Sequence, residues 1–134
     1  MALDLTSFEN AVQRLRDGLA RHDREPDDEQ LRDGLIQRFE FTYELAHKML
    51  RRWLRAQSAS PDDIAALSFA DLIRVGNAQG VLAAEWTAWR RFREMRTRTS
   101  HTYDAKAAQD VAASVPAFLK EVEHLLTELR RRPV

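Results

Sequence analysis

The chain has no cysteine, which excludes disulfides and thiolate metal sites. Residues that turn or break a backbone are scarce, with 4 Gly and 4 Pro in 134 residues. No segment approaches the ~20 apolar residues of a membrane span. The opening MALDLTSFEN also lacks the apolar centre of a signal peptide. A cytoplasmic location with no membrane partner is therefore expected. Net charge is absent too: 21 basic and 21 acidic residues cancel, which argues against bulk electrostatic attraction to nucleic acid.

What remains points to helices. The hydrophobic fraction of 44% and charged fraction of 31% suit a globular chain rather than a disordered one. Ala, Arg and Leu are the commonest residues, and these lose least on entering a helix. The length fits a single domain over residues 1–134, burying roughly two thirds of its unfolded surface. Charge is unevenly spread. Asp23 to Asp33 holds six acids against two arginines, and Trp89 to His101 holds five arginines against the single Glu94. Such a cationic strip can bind a phosphate on a neutral protein, although a solvated helix face is the commoner origin of a charge run.

Thr6 followed by Glu9 reads as a capping box. Phe8, Val12, Leu15 and Leu19 then recur at helical spacing to about Arg21. The acidic stretch HDREPDDEQ connects to a second helix opened by Pro26, Asp27 and Asp28, whose acids suit the positive end of a helix dipole. Leu31, Leu35, Phe39, Leu45, Met49, Leu50, Trp53 and Leu54 mark its apolar face, and Ser58 to Ser60 ends it. Ser60-Pro61-Asp62-Asp63 is a further N-terminal signal, and Ser68 restarts the pattern, which runs through Ile73 to Gly76 and Gly80. Trp86, Trp89, Phe92 and Met95 build another long helix that runs into RTRTSHTYD, and Asp104 caps the last one. Its buried face is Val111, Val115, Phe118, Leu119, Val122, Leu125, Leu126 and Leu129. Pro116 is expected to kink it, and RRRPV reads as a frayed basic end. Nothing alternates with strand periodicity, so the pattern predicts an all-α chain folded as an antiparallel up-and-down four-helix bundle.

The segment with the most chemistry is Arg96-Thr97-Arg98-Thr99-Ser100-His101-Thr102-Tyr103-Asp104. Helical geometry puts Arg96 and Ser100 on one side, and a loosened last turn brings His101 beside Arg96. An arginine fork binds phosphate and stays charged, while a histidine titrating near neutrality moves protons. The two suffice for RNA cleavage without a metal: His101 activates a ribose 2′-OH and Arg96 stabilises charge on phosphorus. Taken alone, the spacing is a weak pattern, for which a capping or core histidine is the favoured reading.

Two motifs resemble those of a HEPN-superfamily branch, the nucleotidyltransferase substrate-binding proteins that include the HepT toxins. RDGLIQRFEFTYELAHKML (residues 32–50) is similar to the branch signature through Phe39, Glu40, Tyr43, Glu44, Leu45 and Lys48. Arg96, four residues, His101, one residue and Tyr103, followed by Asp104, is similar to the HepT catalytic motif. The resemblance implies a four-helix bundle forming a homodimer, with the arginine–histidine motifs near the subunit interface. It implies a minimal nucleotidyltransferase partner encoded next door. Arg96 and His101 would be catalytic, with Glu40, Glu44, Lys48, Arg98 and Ser100 binding an RNA or nucleotide. The partner would neutralise this ribonuclease by transferring AMP to Tyr103. A second role implied for such proteins is that of a non-catalytic substrate-binding half of a two-protein nucleotidyltransferase. The chain departs from the pattern at Thr97, where asparagine usually follows the arginine, and at His47, where tryptophan is common. Threonine cannot donate the same amide hydrogen bond, and His47 is expected to alter a packing or groove contact.

Other candidates have plainer readings. Glu44 and Lys48, four residues apart, fit an ordinary helix salt pair. His22 and His124 read as surface residues, and the three tryptophans as core or subunit interface. Arg90, Arg91, Arg93 and Arg98 are candidates to steer RNA, with a solvated face the simpler reading for at least two. No His, Asp and Glu set has metal-ligand spacing, and no cofactor is called for.

Overall fold

The computed structural model describes residues 3–134, so Met1 and Ala2 of the opening stretch lie outside the described residues. Among the described residues there are six α-helices and no strand: α1 (Thr6–Arg24), α2 (Glu29–Gln57), α3 (Pro61–Ala65), α4 (Phe69–Ala78), α5 (Trp86–Arg98) and α6 (Ala105–Arg131). A single 3-10 turn, Thr99–His101, joins α5 to the segment before α6. None of the described helices is long and apolar enough to cross a membrane.

Three helix starts follow the local chemistry expected of them. Asp28 caps α2 by accepting from the Leu31 N–H at 3.0 Å, Ser68 caps α4 through the Asp71 N–H at 3.2 Å, and Asp104 caps α6 through the Lys106 N–H at 2.9 Å. The expected capping box at Thr6 and Glu9 does not form. Asp4 accepts the Thr6 N–H instead, at 3.0 Å, and Glu9 pairs with Arg130 of α6 at 2.9 Å. A charged partner on a neighbouring helix has displaced a neutral backbone donor. The interrupted pattern between 61 and 80 resolves into two short helices, and α6 passes through Pro116 without ending.

One hydrophobic cluster joins α1, α2, α4, α5 and α6. Its centre is aromatic: Phe118 lies edge-on to Phe39 at 4.8 Å, Phe92 at 5.2 Å and Trp89 at 6.1 Å. These T-shaped contacts tie α2, α5 and α6 together. Leu31 and Leu45, expected on the buried face of α2, are only half-buried. Gly76 is packed so tightly that a Cβ would sit about 3.0 Å from Leu82. Gly80 turns the chain with φ at +80°, a conformation glycine adopts without strain.

Two polar anchors escaped the sequence reading. Glu121 of α6 is 4% exposed. Its carboxylate accepts from the Ala83 N–H at 3.1 Å, the Ala84 N–H at 2.9 Å and the Trp89 indole N–H at 2.7 Å. It thereby fixes the α4–α5 connection and the direction in which α5 leaves it. The C-terminal segment is not frayed at Arg132. The Trp53 indole donates to the Arg132 carbonyl at 2.8 Å, and the Arg132 guanidinium reaches Glu128 at 3.0 Å. His124 is half-buried rather than a free surface residue, and donates through Nε2 to the Gly80 carbonyl at 3.1 Å.

Replacing Glu121 with Ala removes the acceptor of the buried Trp89 indole N–H and of two part-buried backbone N–H groups, and each unsatisfied group costs about 1–3 kcal/mol. Urea unfolding of Glu121→Ala is expected to show a loss of at least about 3 kcal/mol. A midpoint equal to the parent's would mean that the carboxylate does not anchor this connection.

Candidate active site

The apolar faces of α2 and α5 place polar residues at the edge where the two helices meet. Phe39 and Tyr43 point into the core, so Glu40 and Glu44 fall beside it; Phe92 and Met95 do the same for Arg96. The Arg96 guanidinium donates through Nε to Glu44 at 2.9 Å and through Nη1 to the Thr99 hydroxyl at 3.0 Å. Glu40 lies 3.9 Å from Nη1. Thr99 is buried and returns a hydrogen bond to the Arg96 carbonyl at 2.6 Å. A hydroxyl can serve both purposes because it donates once and accepts through its lone pairs. Among the described residues Nη2 takes no partner, and the arginine side chain is 30% exposed. That leaves a fixed N–H edge facing outward.

Thr99 was not among the expected site residues, although its place three residues after Arg96 puts it on the same helical face. Thr97 is exposed and turns its hydroxyl back to the Arg93 carbonyl at 3.2 Å, so it adds no donor beside Arg96.

The loosened last turn expected here does not form: α5 instead tightens into a 3-10 turn over 99–101 that ends at His101. His101 is exposed and makes no hydrogen bond to Arg96 among the described residues. Its ring stands edge-on to Tyr103 with centroids 6.2 Å apart. Tyr103 is 89% exposed. The other tyrosine, Tyr43, is buried, and burial pushes its phenol up to about 12. Of the two tyrosines, only Tyr103 therefore presents a reachable phenol. Ser100 is exposed on the same turn.

Two expected binding residues are engaged differently. Arg98 pairs with Asp110 of α6 at 2.7 Å, and Lys106 holds the other carboxylate oxygen at 2.9 Å. Hydrogen bonds from Lys106 and then Arg98 hold the Asp110 carboxyl below its ordinary range. Arg98 thus ties the 99–104 segment to α6. Glu44 is paired with Arg96, and no ion pair joins it to Lys48 among the described residues. Lys48 instead lines a groove on α2. The cationic strip read from the sequence is largely spoken for, because Arg90 sits 3.6 Å from Glu94 and Arg93 lies over the Phe69 ring at 5.6 Å.

His47 packs edge-on against Phe69 at 4.7 Å, a packing contact of the kind expected for this position. Arg51 approaches its Nε2 at 3.4 Å. Arginine has only donors, so a hydrogen bond here uses Nε2 as the acceptor and favours the neutral imidazole. Burial first, and the Arg51 charge second, lower its pKa.

A helical protein with an arginine pinned between two acids, beside an exposed histidine and tyrosine, is the class that this arrangement defines. The model of the family described as nucleotidyltransferase substrate binding protein like matches residues 3–131, and the chain belongs to that family. It is 42% identical over 99 residues to a Haemophilus influenzae protein named probable ribonuclease HepT, covering 74% of this chain and 67% of that protein. A solved Haemophilus influenzae structure is similar with a TM-score of 0.87 and 35% identity, over 95% of this chain and 99% of that one. It is described as revealing the fold of a substrate-binding domain of a nucleotidyltransferase. A crystal structure from Thermus thermophilus is similar with a TM-score of 0.75 and 27% identity, over 92% of this chain and 98% of that one.

The lowered pKa of His47 sets a sign for stability against pH. The unfolded chain binds a proton near the ordinary value of about 6.5, and the folded chain resists it. Stability is therefore full above that value and falls as pH drops through it. Urea midpoints at pH 7.5 and 5.5 should fall more for the parent than for His47→Gln. Equal falls would remove His47 as the source.

Proposed function

We propose that this chain is a HepT-like toxin: a metal-independent ribonuclease, working in the cytoplasm and neutralised by a minimal nucleotidyltransferase. The observation that carries the reading is Arg96, clamped by Glu44 and Thr99 with an N–H edge left open, one short turn before the exposed His101 and Tyr103. The likeness to a protein named probable ribonuclease HepT supports it.

In this reading, one domain forms an antiparallel bundle of α1, α2, α5 and α6, with α3 and α4 inserted between α2 and α5. Contacts that advance in opposite directions support the antiparallel course. Arg38 reaches Arg14 at 2.8 Å and Thr42 reaches Ala11 at 3.3 Å, while Trp89 meets Glu121 and Arg98 meets Asp110. A homodimer places two copies of the motif near a shared face.

His101 accepts the proton of a ribose 2′-OH, and the 2′ oxygen attacks the adjacent phosphorus. The bond to the 5′ oxygen breaks, giving a 2′,3′-cyclic phosphate and a 5′-OH end, with the proton passing to the leaving oxygen. Arg96 stabilises the extra negative charge on the phosphoryl oxygens, an effect worth roughly 2.7–4 kcal/mol per well-placed donor. Glu40 and Glu44 hold the guanidinium in position; Ser100 and Lys48 contact substrate, and Arg98 supports the loop. The partner neutralises the enzyme at Tyr103, whose oxygen attacks the α-phosphorus of ATP and displaces pyrophosphate.

A second reading is favoured by the acids on Arg96 and by the description of the Haemophilus influenzae structure. In it, the same site binds a nucleotide without cutting and presents it to the nucleotidyltransferase.

With EDTA present, purified parent should cleave RNA while His101→Ala, equally folded, cuts at least about a hundredfold more slowly, the usual scale of a lost general base. Absence of cleavage by the parent would shift the assignment to the binding subunit. Separately, the partner with α-labelled ATP should label the parent and not Tyr103→Phe. Equal labelling of both would place the modification elsewhere.

A further inference from the structure

Several cations of this neutral protein are matched by acids. Arg16, Arg74, Arg90, Arg98, Lys106, Arg130 and Arg131 all lie within 4 Å of a carboxylate. The C-terminal half of α2 instead gathers unmatched cations in one place. Lys48, Arg52 and Arg55 are exposed and have no ion-pair partner among the described residues. They line one groove of about 500 Å³, which Leu45 and His47 also border. Arg51 shares the groove but is occupied: it donates to the carbonyls of Ile64 at 2.9 Å and Leu67 at 3.2 Å. The groove's one acidic side chain is Glu44, whose carboxylate is taken by Arg96.

The spacing suits a chain of phosphates. Lys48, Arg52 and Arg55 follow at steps of four and three residues, so they stand on one side of α2. At 1.5 Å per residue they span about 10 Å of helix axis. Single-strand phosphates repeat every ~3.4 Å when stacked, so roughly two or three fall within reach. Three unneutralised cations beside one another repel, and a polyanion relieves that repulsion while releasing its own counterions.

We propose that this groove is a track for the backbone of single-stranded RNA, held by Lys48, Arg52 and Arg55 and running toward Arg96 by way of Glu44. The inference rests on the ribonuclease reading for its direction, and adds the surface on which the substrate lies. It also relocates the cationic contact from the 89–101 strip to α2.

The test is binding of a fluorescent single-stranded RNA of about twenty nucleotides, followed by anisotropy across a salt series. Every protein carries His101→Ala, so binding is read without cleavage, and the result stands whether or not the parent proves to be a nuclease. Adding Lys48→Gln, Arg52→Gln and Arg55→Gln should weaken binding at least about tenfold near 0.1 M salt. It should also lower the slope of log affinity against log salt by about 2, at ~0.7 per phosphate contact. A control removing three other exposed cations, Arg21→Gln, Arg24→Gln and Lys120→Gln, should stay within about twofold of its parent. Thermal unfolding confirms that both sets fold. Unchanged RNA binding by the α2 triple variant overturns the proposal, as does an equal loss in the control. Unchanged RNA binding together with lost capture of the nucleotidyltransferase would make the groove a protein-docking face instead.

Discussion

The edge-on packing of Phe118 against Phe39, Phe92 and Trp89 is the contact from which the site follows. It fixes α2, α5 and α6 against one another at a single level. Once Phe92 points inward, Arg96 one turn later must emerge at the rim of α5. Once Phe39 and Tyr43 point inward, Glu40 and Glu44 must emerge at the rim of α2. The ion pair between Arg96 and Glu44 is thus a consequence of core packing. Glu121 acts on the same frame from the other end of α5, where its three hydrogen bonds hold the α4–α5 connection and the Trp89 indole.

Glu44 on Nε and the Thr99 hydroxyl on Nη1 give the Arg96 guanidinium a fixed orientation, leaving Nη2 outward. A pre-oriented donor costs little reorganisation when charge develops beside it. The acids beside Arg96 oppose an incoming phosphate, so the site favours a ligand that brings other contacts with it. Cations on α2 would supply those contacts along the length of a polymer. The exposed loop carrying His101 and Tyr103 is tied down at both ends, by Arg98 on Asp110 and by Asp104 at the start of α6. That holds two exposed side chains in place on an anchored segment.

Local signals were legible from the residues alone, and long-range charge was not. Asp28, Ser68 and Asp104 cap helices because a cap depends on neighbours three or fewer residues away. Phe118, Val122 and Leu125 repeat on one face and are buried on it. Thr6 and Glu9 misled because Arg130, 121 residues away, offered the glutamate a better partner. Arg98 read as substrate-facing for the same reason, since nothing in RTRTSHTYD announces Asp110. Glu121 sits in the mixed helical run EVEHLL, where a surface glutamate and a buried one look alike. The site residues were reached through motif resemblance; the clamp on Arg96 needed the three-dimensional arrangement of α2 against α5. Lys48, Arg52 and Arg55 stand out only once the fold shows that they line one groove together.

The proposed chemistry requires a phosphodiester to sit between the Arg96 guanidinium and the His101 ring. A dinucleotide lacking the attacking 2′-OH binds without being cut, so it can be titrated into protein labelled with nitrogen-15 while both side chains are followed by NMR. The Arg96 Nε and His101 ring signals should shift together and saturate at one ligand concentration. Saturable shifts elsewhere in the protein, with both of these signals unmoved, would contradict that placement of the substrate.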